Sequence, residues 1–326
     1  MDRGDEMSRY SRQMILSEVG DAGQARLSDA RVLVVGAGGL AAAVLPLLAG
    51  AGIGYMKIMD GDSVALSNLH RQTFFTEKDC GQPKAEIAAQ RCRALNGAVR
   101  VEPLDQVLTA ENAPGLIQEV DLVLDCADSY AASYILSDNC LAKNTALISA
   151  SALGLGGYVG GFCGGAPSLR AVFPDIPDSG ASCATAGVLG PVVGMIGAMQ
   201  AQMALRLILG LGPSPLGQMV NFDGRTCRSS SFRFDDAKEP GGFFRFVAPC
   251  QLTSDDLIVE LRGAEEAPEP IHPNARRIGP DALKTEPNKE QRLALCCATG
   301  LRAWRAAERI QPDWSGEIVL VAASTS

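Results

Sequence analysis

Short apolar runs alternate with longer apolar stretches near the start of the chain. Residues 32–35 form a short run rich in β-branched side chains, a glycine-rich turn follows, and residues 40–48 are a longer apolar stretch before a second short run at 55–59. A short run bounded by turn residues is typical of a strand, and a longer stretch is typical of a helix. The pattern therefore predicts a strand–helix–strand unit that ends at Asp60.

The alternation continues to about residue 235. Further predicted elements are a helix entered through Pro83, strands at 99–106 and 121–128, a helix around 110–119 and a glycine-containing strand pair at 145–162. Strands that alternate with helices form mostly parallel sheets with helices on both faces. We therefore predict an α/β fold with a doubly wound, mostly parallel, Rossmann-like sheet.

A change of composition marks the end of this pattern. Residues 235–248 are rich in charge, proline and glycine, which is typical of a linker, and two short apolar runs follow, the second with a helix after it. We expect residues 1–235 to form the large domain, 236–247 a linker and 248–326 a small C-terminal α/β domain near the lower size limit for independent folding.

The charge balance limits the classes of partner. The net charge of -8 argues against a nucleic-acid surface or an anionic membrane as the main partner, because both attract clustered positive charge. The apolar run at 188–212 resembles a membrane span, but its proline, glycines and glutamines dilute it. We predict a helix buried in the core or in a dimer interface.

Cysteine usage and the N-terminus point to a reducing compartment. The 10 cysteines form no CxxC pair, so a structural zinc site of the usual spacing is not predicted. The first residues, MDRGDEMSRYSRQ, are charged and lack the apolar region of a signal peptide. A cytoplasmic location is expected.

The glycine-rich turn predicts a nucleotide site. Gly36, Gly38 and Gly39 lie between the first strand and the first long helix, where backbone N–H groups can face a phosphate, and Asp60 ends the next strand in position to accept from ribose hydroxyls. The turn alone is a weak signal. Glycines that only permit tight packing, or a nicotinamide-cofactor enzyme, would also explain it.

Polar residues after Asp60 favour a triphosphate over a dinucleotide. Asn68, Arg71 and Lys84 place an amide and two cations near the same pocket, and a triphosphate carries more charge than a pyrophosphate and usually a metal. Asp128, after the strand at 121–128, is the candidate magnesium ligand. Asp125 is interpreted as a structural hydrogen-bonding residue.

Several ordered motifs resemble one family. They are RYSRQM (9–14), GAGGLA (36–41), MDGDSVALSNLHRQ (59–72), GQPK (81–84), DCADS (125–129) and SCATAGVLGPVVGMIGAMQA (182–201). In order and spacing they are similar to the ubiquitin-activating-enzyme-like adenylyltransferases of the MoeB/ThiF/HesA type, over residues 8 to 235.

The resemblance implies a role for each matching position. Gly36, Gly38 and Gly39 would line the phosphate path, Asp60 would bind the ribose, and Asp128 would bind magnesium near the α-phosphate of ATP. The remaining pocket residues, which would hold the nucleotide and its phosphates, are Asn68, Arg71, Gln72 and Lys84. Arg12 resembles an arginine that these dimers lend to the partner's ATP, so a homodimer is implied.

The chain departs from the family pattern at two places. Family members often hold a structural zinc with two CxxC pairs, but Ser168 and Ala171 occupy the place of the first pair and the segment just after Phe234 offers only Cys250, so no zinc is predicted. The glycine after GAGGL is Ala41 here.

The implied chemistry fits the residue types. A C-terminal carboxylate is already an anion, so its attack on the α-phosphorus of ATP needs charge neutralisation and alignment and no general base. The presence of only 2 histidines in the chain is consistent with that requirement. The product would be an acyl-adenylate.

Two cysteines are candidates for sulfur chemistry. Cys183 is either a thiol that receives the acyl group or sulfur, or a small residue before a buried helix. Residues 248–323 resemble a shortened rhodanese-like domain with CATGLR (297–302) as its active loop, in which Cys297 would carry a persulfide near Arg302. A degenerate domain that serves only for packing is the alternative.

The main hypothesis is adenylation of the C-terminal glycine of a ubiquitin-fold sulfur-carrier protein ending in Gly-Gly, of the MoaD/ThiS type, with sulfur delivered through Cys297 or from a donor such as a cysteine desulfurase. Adenylation of a small-molecule or tRNA carboxylate and a catalytically silent nucleotide-binding scaffold are the alternatives. The residues leave open which pathway is served, whether molybdopterin, thiamin, cysteine or tRNA thiolation.

Overall fold

A computed structural model of the chain describes residues 3–176, 187–279 and 290–323, with side chains from residue 9 onward in these ranges. The helices are α1 (Arg3–Met14), α2 (Gly20–Asp29), α3 (Gly39–Ala51), α4 (Lys84–Leu95), α5 (Ala113–Gln118), α6 (Tyr130–Lys143), α7 (Leu169–Val172), α8 (Gly190–Leu209) and α9 (Leu301–Ile310).

The larger sheet has 8 strands in the order β3-β2-β1-β4-β5-β6-β7-β8. They are β1 (Arg31–Val35), β2 (Tyr55–Met59), β3 (Arg100–Leu104), β4 (Leu122–Asp125), β5 (Ala146–Leu153), β6 (Gly156–Cys163), β7 (Gln218–Asp223) and β8 (Arg228–Arg233). Strands β3, β2, β1, β4 and β5 are parallel, whereas β6, β7 and β8 extend the sheet in antiparallel pairs. The predicted doubly wound, mostly parallel α/β sheet is confirmed.

The burial of the central strands explains why the sequence predicted them. All residues of β2 and all but the first of β1 are buried, as expected for parallel strands covered by helices on both faces. Val34 lies opposite Ile58 on one side and Leu124 on the other. The carboxyl ends of β2, β1 and β4 therefore lie side by side at one edge of the sheet.

Helix α8 covers one face of this sheet. A Cβ at Gly197 would lie 2.5 Å from Leu40 O, so glycine allows α8 to approach α3 closely. Among the described residues α8 is the helix long and apolar enough to cross a membrane, and 50% of its apolar window is buried inside the protein. This burial agrees with the predicted core helix.

A second sheet of 5 strands follows, in the order β11-β10-β12-β13-β9. Its strands are β9 (Arg245–Phe246), β10 (Leu257–Glu260), β11 (Arg276–Arg277), β12 (Leu293–Cys297) and β13 (Ile318–Ala322), and all its pairs are parallel. Strand β9 lies inside the range 236–247 that the sequence assigned to a linker, so part of that range is built into the second sheet.

Candidate functional site

The turn after β1 requires glycine at its first position. Gly36 has φ +91° and donates through its N–H to Met59 O at 2.8 Å. A Cβ at Gly36 would lie 2.7 Å from Cys126 O, so a side chain would collide with the turn after β4. Gly38 precedes α3 and supplies no side-chain cap, which leaves the N–H groups of the first turn of α3 available to a ligand.

Two further residues of this motif are set by helix packing. A Cβ at Gly39 would lie 2.7 Å from Val193 Cγ1, so the structure gives Gly39 a role in the contact between α3 and α8. Ala41 is fully buried in α3, and its methyl group is accommodated there. The predicted phosphate contact of Gly39 stays a prediction.

Asp60 holds the glycine turn from the end of β2. One of its carboxylate oxygens accepts from Ala37 N at 2.7 Å and the other from Asp62 N at 2.8 Å. Burial raises the pKa of Asp60, and the positive charge of Lys84 opposes the rise. Because each carboxylate oxygen has two acceptor positions, Asp60 can still accept from a ligand hydroxyl.

Lys84 is buried at the start of α4 and pairs with Asp62. Its Nζ lies 2.7 Å from Asp62 Oδ2, and the two side chains are 6% and 44% exposed. The backbone joins the same residues, since Lys84 N donates to Asp62 O at 2.8 Å. Sequence reasoning missed Asp62. Its position two residues after Asp60 is the sequence feature that could have revealed it. Its partner Lys84 lies on a different segment, so the pairing could not be read from the local sequence.

The segment from Asn68 to Gln72 forms a turn beside α3. Asn68 O accepts from Arg71 N at 3.1 Å and from Gln72 N at 2.9 Å. Gln72 is 4% exposed, and its Oε1 has no hydrogen-bond partner among the described residues. A Cβ at Gly38 would lie 3.6 Å from Gln72 Nε2, so this buried amide borders the glycine turn.

Arg71 is half-buried in the same turn and lies against the glycine motif. Its Nη1 lies 3.4 Å from His70 Nε2, and a Cβ at Gly39 would lie 3.5 Å from its Cγ. Gly190, the first residue of α8, packs closely against the turn, since a Cβ at Gly190 would lie 2.5 Å from His70 O. The turn is therefore packed between the starts of α3 and α8.

The two aspartates after β4 have different environments. Asp125 is fully buried, accepts from Ser149 Oγ at 2.8 Å and from Ala127 N at 3.1 Å, and its pKa is raised by burial. Asp128 is exposed and lies just before the N-cap of α6. Asp125 thus has the structural role interpreted from the sequence, and Asp128 is exposed at the carboxyl end of β4, with no hydrogen bond to another described side chain.

A buried glutamine of α8, which sequence reasoning missed, holds this end of the sheet together. Gln200 Nε2 donates to Asp125 O at 2.7 Å and to Ile148 O at 3.0 Å, while its Oε1 accepts from Cys126 Sγ at 3.3 Å. The sequence feature that could have revealed Gln200 is a polar residue within an otherwise apolar helix. These bonds fix the turn that leads to Asp128.

The pocket thus gathers most of the predicted residues. The glycine turn, Asp60 and Asp128 follow the neighbouring strands β1, β2 and β4, and the segments carrying Arg71 and Lys84 pack against them. Arg12 is exposed in the last turn of α1, and no described hydrogen bond or ion pair links it to the pocket. Cys183 lies outside the described residues.

Cys297, the predicted sulfur carrier, is enclosed in the structure. It is fully buried at the end of β12, and its Sγ accepts from Ala303 N at 3.3 Å. Arg302, expected to stabilise an anionic sulfur, forms an ion pair with Glu266, and its side chain also interacts with Cys297. Cys296 faces a separate apolar cluster on the other side of the sheet, as predicted. A thiol so enclosed cannot exchange sulfur with another protein unless its loop moves.

The place of the family's first zinc-binding pair has a different arrangement. Ser168 N and Oγ donate to the two carboxylate oxygens of Glu239 at 2.7 and 2.5 Å. Within the described ranges, no three histidine, cysteine, aspartate or glutamate side chains form a metal-binding group. The absence of zinc stays a prediction.

Comparisons with known proteins identify the family of the chain. The model of the ThiF family matches residues 10–242. The chain is 41% identical over 228 residues to "Adenylyltransferase and sulfurtransferase MOCS3" of Drosophila virilis, covering 69% of this chain and 50% of the relative. The same-named protein of Sus scrofa is 43% identical over 222 residues, covering 67% and 49%. The chain thus spans about half the length of the curated relatives it matches.

Solved structures share the fold. Selenomethionine PaaA aligns with a TM-score of 0.61 at 23% identity, covering 72% of this chain and 75% of that one. MccB of E. coli in complex with ATP aligns with a TM-score of 0.59 at 20% identity, covering 72% of each chain. With its ordered motifs, its sheet and the matched family model, the chain belongs to the ThiF family.

Proposed function

We propose that this protein is an adenylyltransferase that uses ATP to activate the C-terminal glycine carboxylate of a small ubiquitin-fold sulfur-carrier protein of the MoaD/ThiS type. The observation that carries the proposal is the convergence of the glycine turn, Asp60, Lys84, Arg71 and Asp128 at one sheet edge. The names of the curated relatives and the ATP complex of MccB support the same activity.

The nucleotide is held by groups with remaining hydrogen-bonding capacity. Asp60 accepts from the ribose hydroxyls, while the phosphates face the uncapped start of α3 and the cations of Lys84 and Arg71. The buried amide of Gln72, whose Oε1 has no described partner, completes the pocket wall. Such a buried polar atom is costly unless a ligand or water bonds to it.

The residues also fit a magnesium ion. Mg²⁺ is commonly bound by one or two carboxylates together with substrate phosphates and water, and Asp128 offers one exposed carboxylate whose turn is fixed by Gln200 and Asp125. The bound ion would supply charge neutralisation at the phosphates. Asp125 cannot replace Asp128, because its carboxylate is buried and bonded to Ser149.

The chain's own groups then align the reaction. The acceptor carboxylate attacks the α-phosphorus, a new oxygen–phosphorus bond forms, the bond to the β,γ-pyrophosphate breaks, and an acyl-adenylate and pyrophosphate result. The nucleophile is ionised at neutral pH, so no residue has to remove a proton. Lys84 and Arg71 stabilise the negative charge that passes to the leaving pyrophosphate.

Lys84 changes partner during this cycle. In the structure its ammonium group pairs with Asp62 at 2.7 Å. A phosphate oxygen carries more charge than the half-exposed carboxylate of Asp62 and competes for the same Nζ. Asp62 thus keeps a buried cation paired until ATP binds.

Assembly and sulfur delivery complete the proposal. Arg12, exposed on α1, serves the pocket of a second copy in a homodimer. Because Cys297 is enclosed, we assign delivery of sulfur to the adenylated carrier to Cys183 or to an external donor such as a cysteine desulfurase.

Exchange of labelled pyrophosphate into ATP tests the proposal. Purified protein with Mg²⁺ and a panel of MoaD/ThiS-type carriers should incorporate label only with a carrier whose C-terminal Gly-Gly is intact, and a carrier lacking its last glycine is the control. Exchange that needs no carrier would indicate a small-molecule acceptor. No exchange with any carrier, while ATP binds, would indicate a silent nucleotide-binding protein.

A further inference from the structure

The second sheet packs on the first unit through helix α6, which begins two residues after Asp128. Buried side chains of both units form one continuous cluster, which includes Tyr134, Ile135, Phe244, Phe246, Leu295 and Trp304. A shared core of this kind differs from the separate cores expected of two domains on a flexible linker. Contacts from both the first unit and the second sheet therefore set the position of α6.

Trp304 is at the centre of this contact. It is 1% exposed, its ring stacks on Tyr134 of α6 with centroids 5.2 Å apart, and it meets Phe244 edge-on at 5.6 Å. The hydroxyl of Tyr134 donates to Phe173 O at 2.9 Å. Tyr134 therefore cannot turn away from Trp304 without breaking a buried hydrogen bond.

A buried ion pair holds the middle of α6 against the same aromatic group. Arg170 donates to both carboxylate oxygens of Asp138, at 2.6 and 2.9 Å, and to Phe244 O at 3.2 Å. Its guanidinium lies 4.5 Å from the ring centroid of Tyr134 and 5.6 Å from that of Trp304. Two-point hydrogen bonding fixes orientation as well as distance.

The loop before α9 reaches the first turn of α6. Gly300 has φ +83°, and a Cβ there would lie 2.5 Å from Phe246 Cε1 and 3.5 Å from Ala131 Cβ. Ala131 follows Asp128 by three positions and is 3% exposed. The loop that would carry a reactive cysteine is thus used for contact with the adenylation unit, and Cys297 is enclosed behind it.

We propose that the C-terminal unit is a positioning module for the adenylation site, with Trp304 as its central residue. Trp304 holds α6, α6 fixes the turn that presents Asp128, and the loop at Cys297 serves this contact and not sulfur exchange. The inference rests on the proposed function, because it assigns the module a part in that reaction. Trp304 is a positioning residue, since it touches no substrate.

Pyrophosphate exchange in variants tests the positioning role. With the carrier that supports exchange, Trp304→Ala should lower kcat by about tenfold or more and change the KM for ATP by less than about threefold, because Asp60 and Lys84 lie on other elements. Trp304→Phe keeps an aromatic ring on Tyr134 and should stay within about threefold of wild type in kcat.

Trp314→Ala is the matched control. Trp314 is 7% exposed in the same unit, and its Nε1 donates to Gln291 O at 3.1 Å. The variant should lower the melting temperature without changing kcat. Equal kcat in Trp304→Ala and wild type would overturn the inference, as would equal losses in both alanine variants. A wild-type protein without exchange would instead overturn the proposed function.

Thiol labelling tests the docking without any activity. In the native wild-type protein, iodoacetamide followed by mass spectrometry should modify the exposed Cys80 and Cys227 well before Cys297. Cys297 should become reactive in Trp304→Ala. Modification of Cys297 in the native wild type as fast as Cys80 would show that the loop is open, and it would overturn the inference even if Trp304→Ala does not fold.

Discussion

The substitution Asp62→Asn tests whether Lys84 exchanges Asp62 for a phosphate of ATP during catalysis. It removes the carboxylate that lies 2.7 Å from Lys84 Nζ but keeps the size of the side chain. A fully buried pair costs about 3–5 kcal/mol when one partner is removed, and an exposed pair contributes about 0.2–1 kcal/mol. Asp62 is 44% exposed and Asp60 also attracts Lys84, so we expect a cost near the lower range, about 1 kcal/mol.

The same energy should appear with the opposite sign in nucleotide binding. If phosphate replaces Asp62 as the partner of Lys84, removal of Asp62 should tighten ATP binding by about fivefold, which is about 1 kcal/mol. Titration calorimetry with ATP measures this, and urea unfolding measures the loss of stability. A weaker affinity in Asp62→Asn would refute the reasoning, because Asp62 would then orient Lys84 towards ATP.

Asp79→Asn is the matched control for this experiment. Asp79 lies before α4 and pairs with Arg91, which is on α4 like Lys84, and the side chain of Asp79 is 13% exposed. The substitution should lower stability without changing ATP affinity, since no pocket residue is involved. A change in ATP affinity here would mean that α4 itself moves.

Three further predictions concern stability, metal dependence and pH. Gly36→Ala should lower the free energy of unfolding by about 2 kcal/mol or more in urea titrations, because φ is +91° and the new Cβ meets Cys126 O at 2.7 Å. Asp128→Asn should lower the kcat of pyrophosphate exchange by about 100-fold while ATP binding in EDTA is unchanged; an unchanged kcat would remove Asp128 from the reaction. Burial alone would raise the pKa of Asp256, but hydrogen bonds from Arg292 and Thr253 N outweigh it and lower the pKa, so this stabilisation is present above pH 3.8 and is lost as pH falls further. Asp256→Asn should therefore destabilise the protein at pH 7, and its difference from wild type should shrink as the pH falls below 3.8, as urea unfolding at a series of pH values would show.

The order of elements in the large sheet was predictable because burial on both faces produces continuous apolar runs. Strand β2 is one such run, and it ends where Asp60 must lie near the glycine turn. The pocket was predictable for the same reason, since the ends of β1, β2 and β4 meet at one edge. The short strands β9 and β11, of 2 residues each, carry no such pattern.

Features that depend on distant contacts were missed. Asp62 pairs with Lys84, which lies 22 positions further along the chain, and Gln200 donates to Asp125 O although the two residues are 75 positions apart. Cys297 has the sequence context of a reactive thiol, but packing of Gly300 and Phe246 against α6 encloses it. Local pattern predicts an element and its chemistry, whereas accessibility is decided by what packs on it.

A crystal structure with a non-hydrolysable ATP analogue and Mg²⁺ tests the central claim most directly. The account predicts that Lys84 leaves Asp62 for a phosphate oxygen, that Arg71 contacts the triphosphate, and that Asp128 faces the metal near the α-phosphate. A nucleotide bound with Lys84 still on Asp62 and with Asp128 directed into solvent would contradict it.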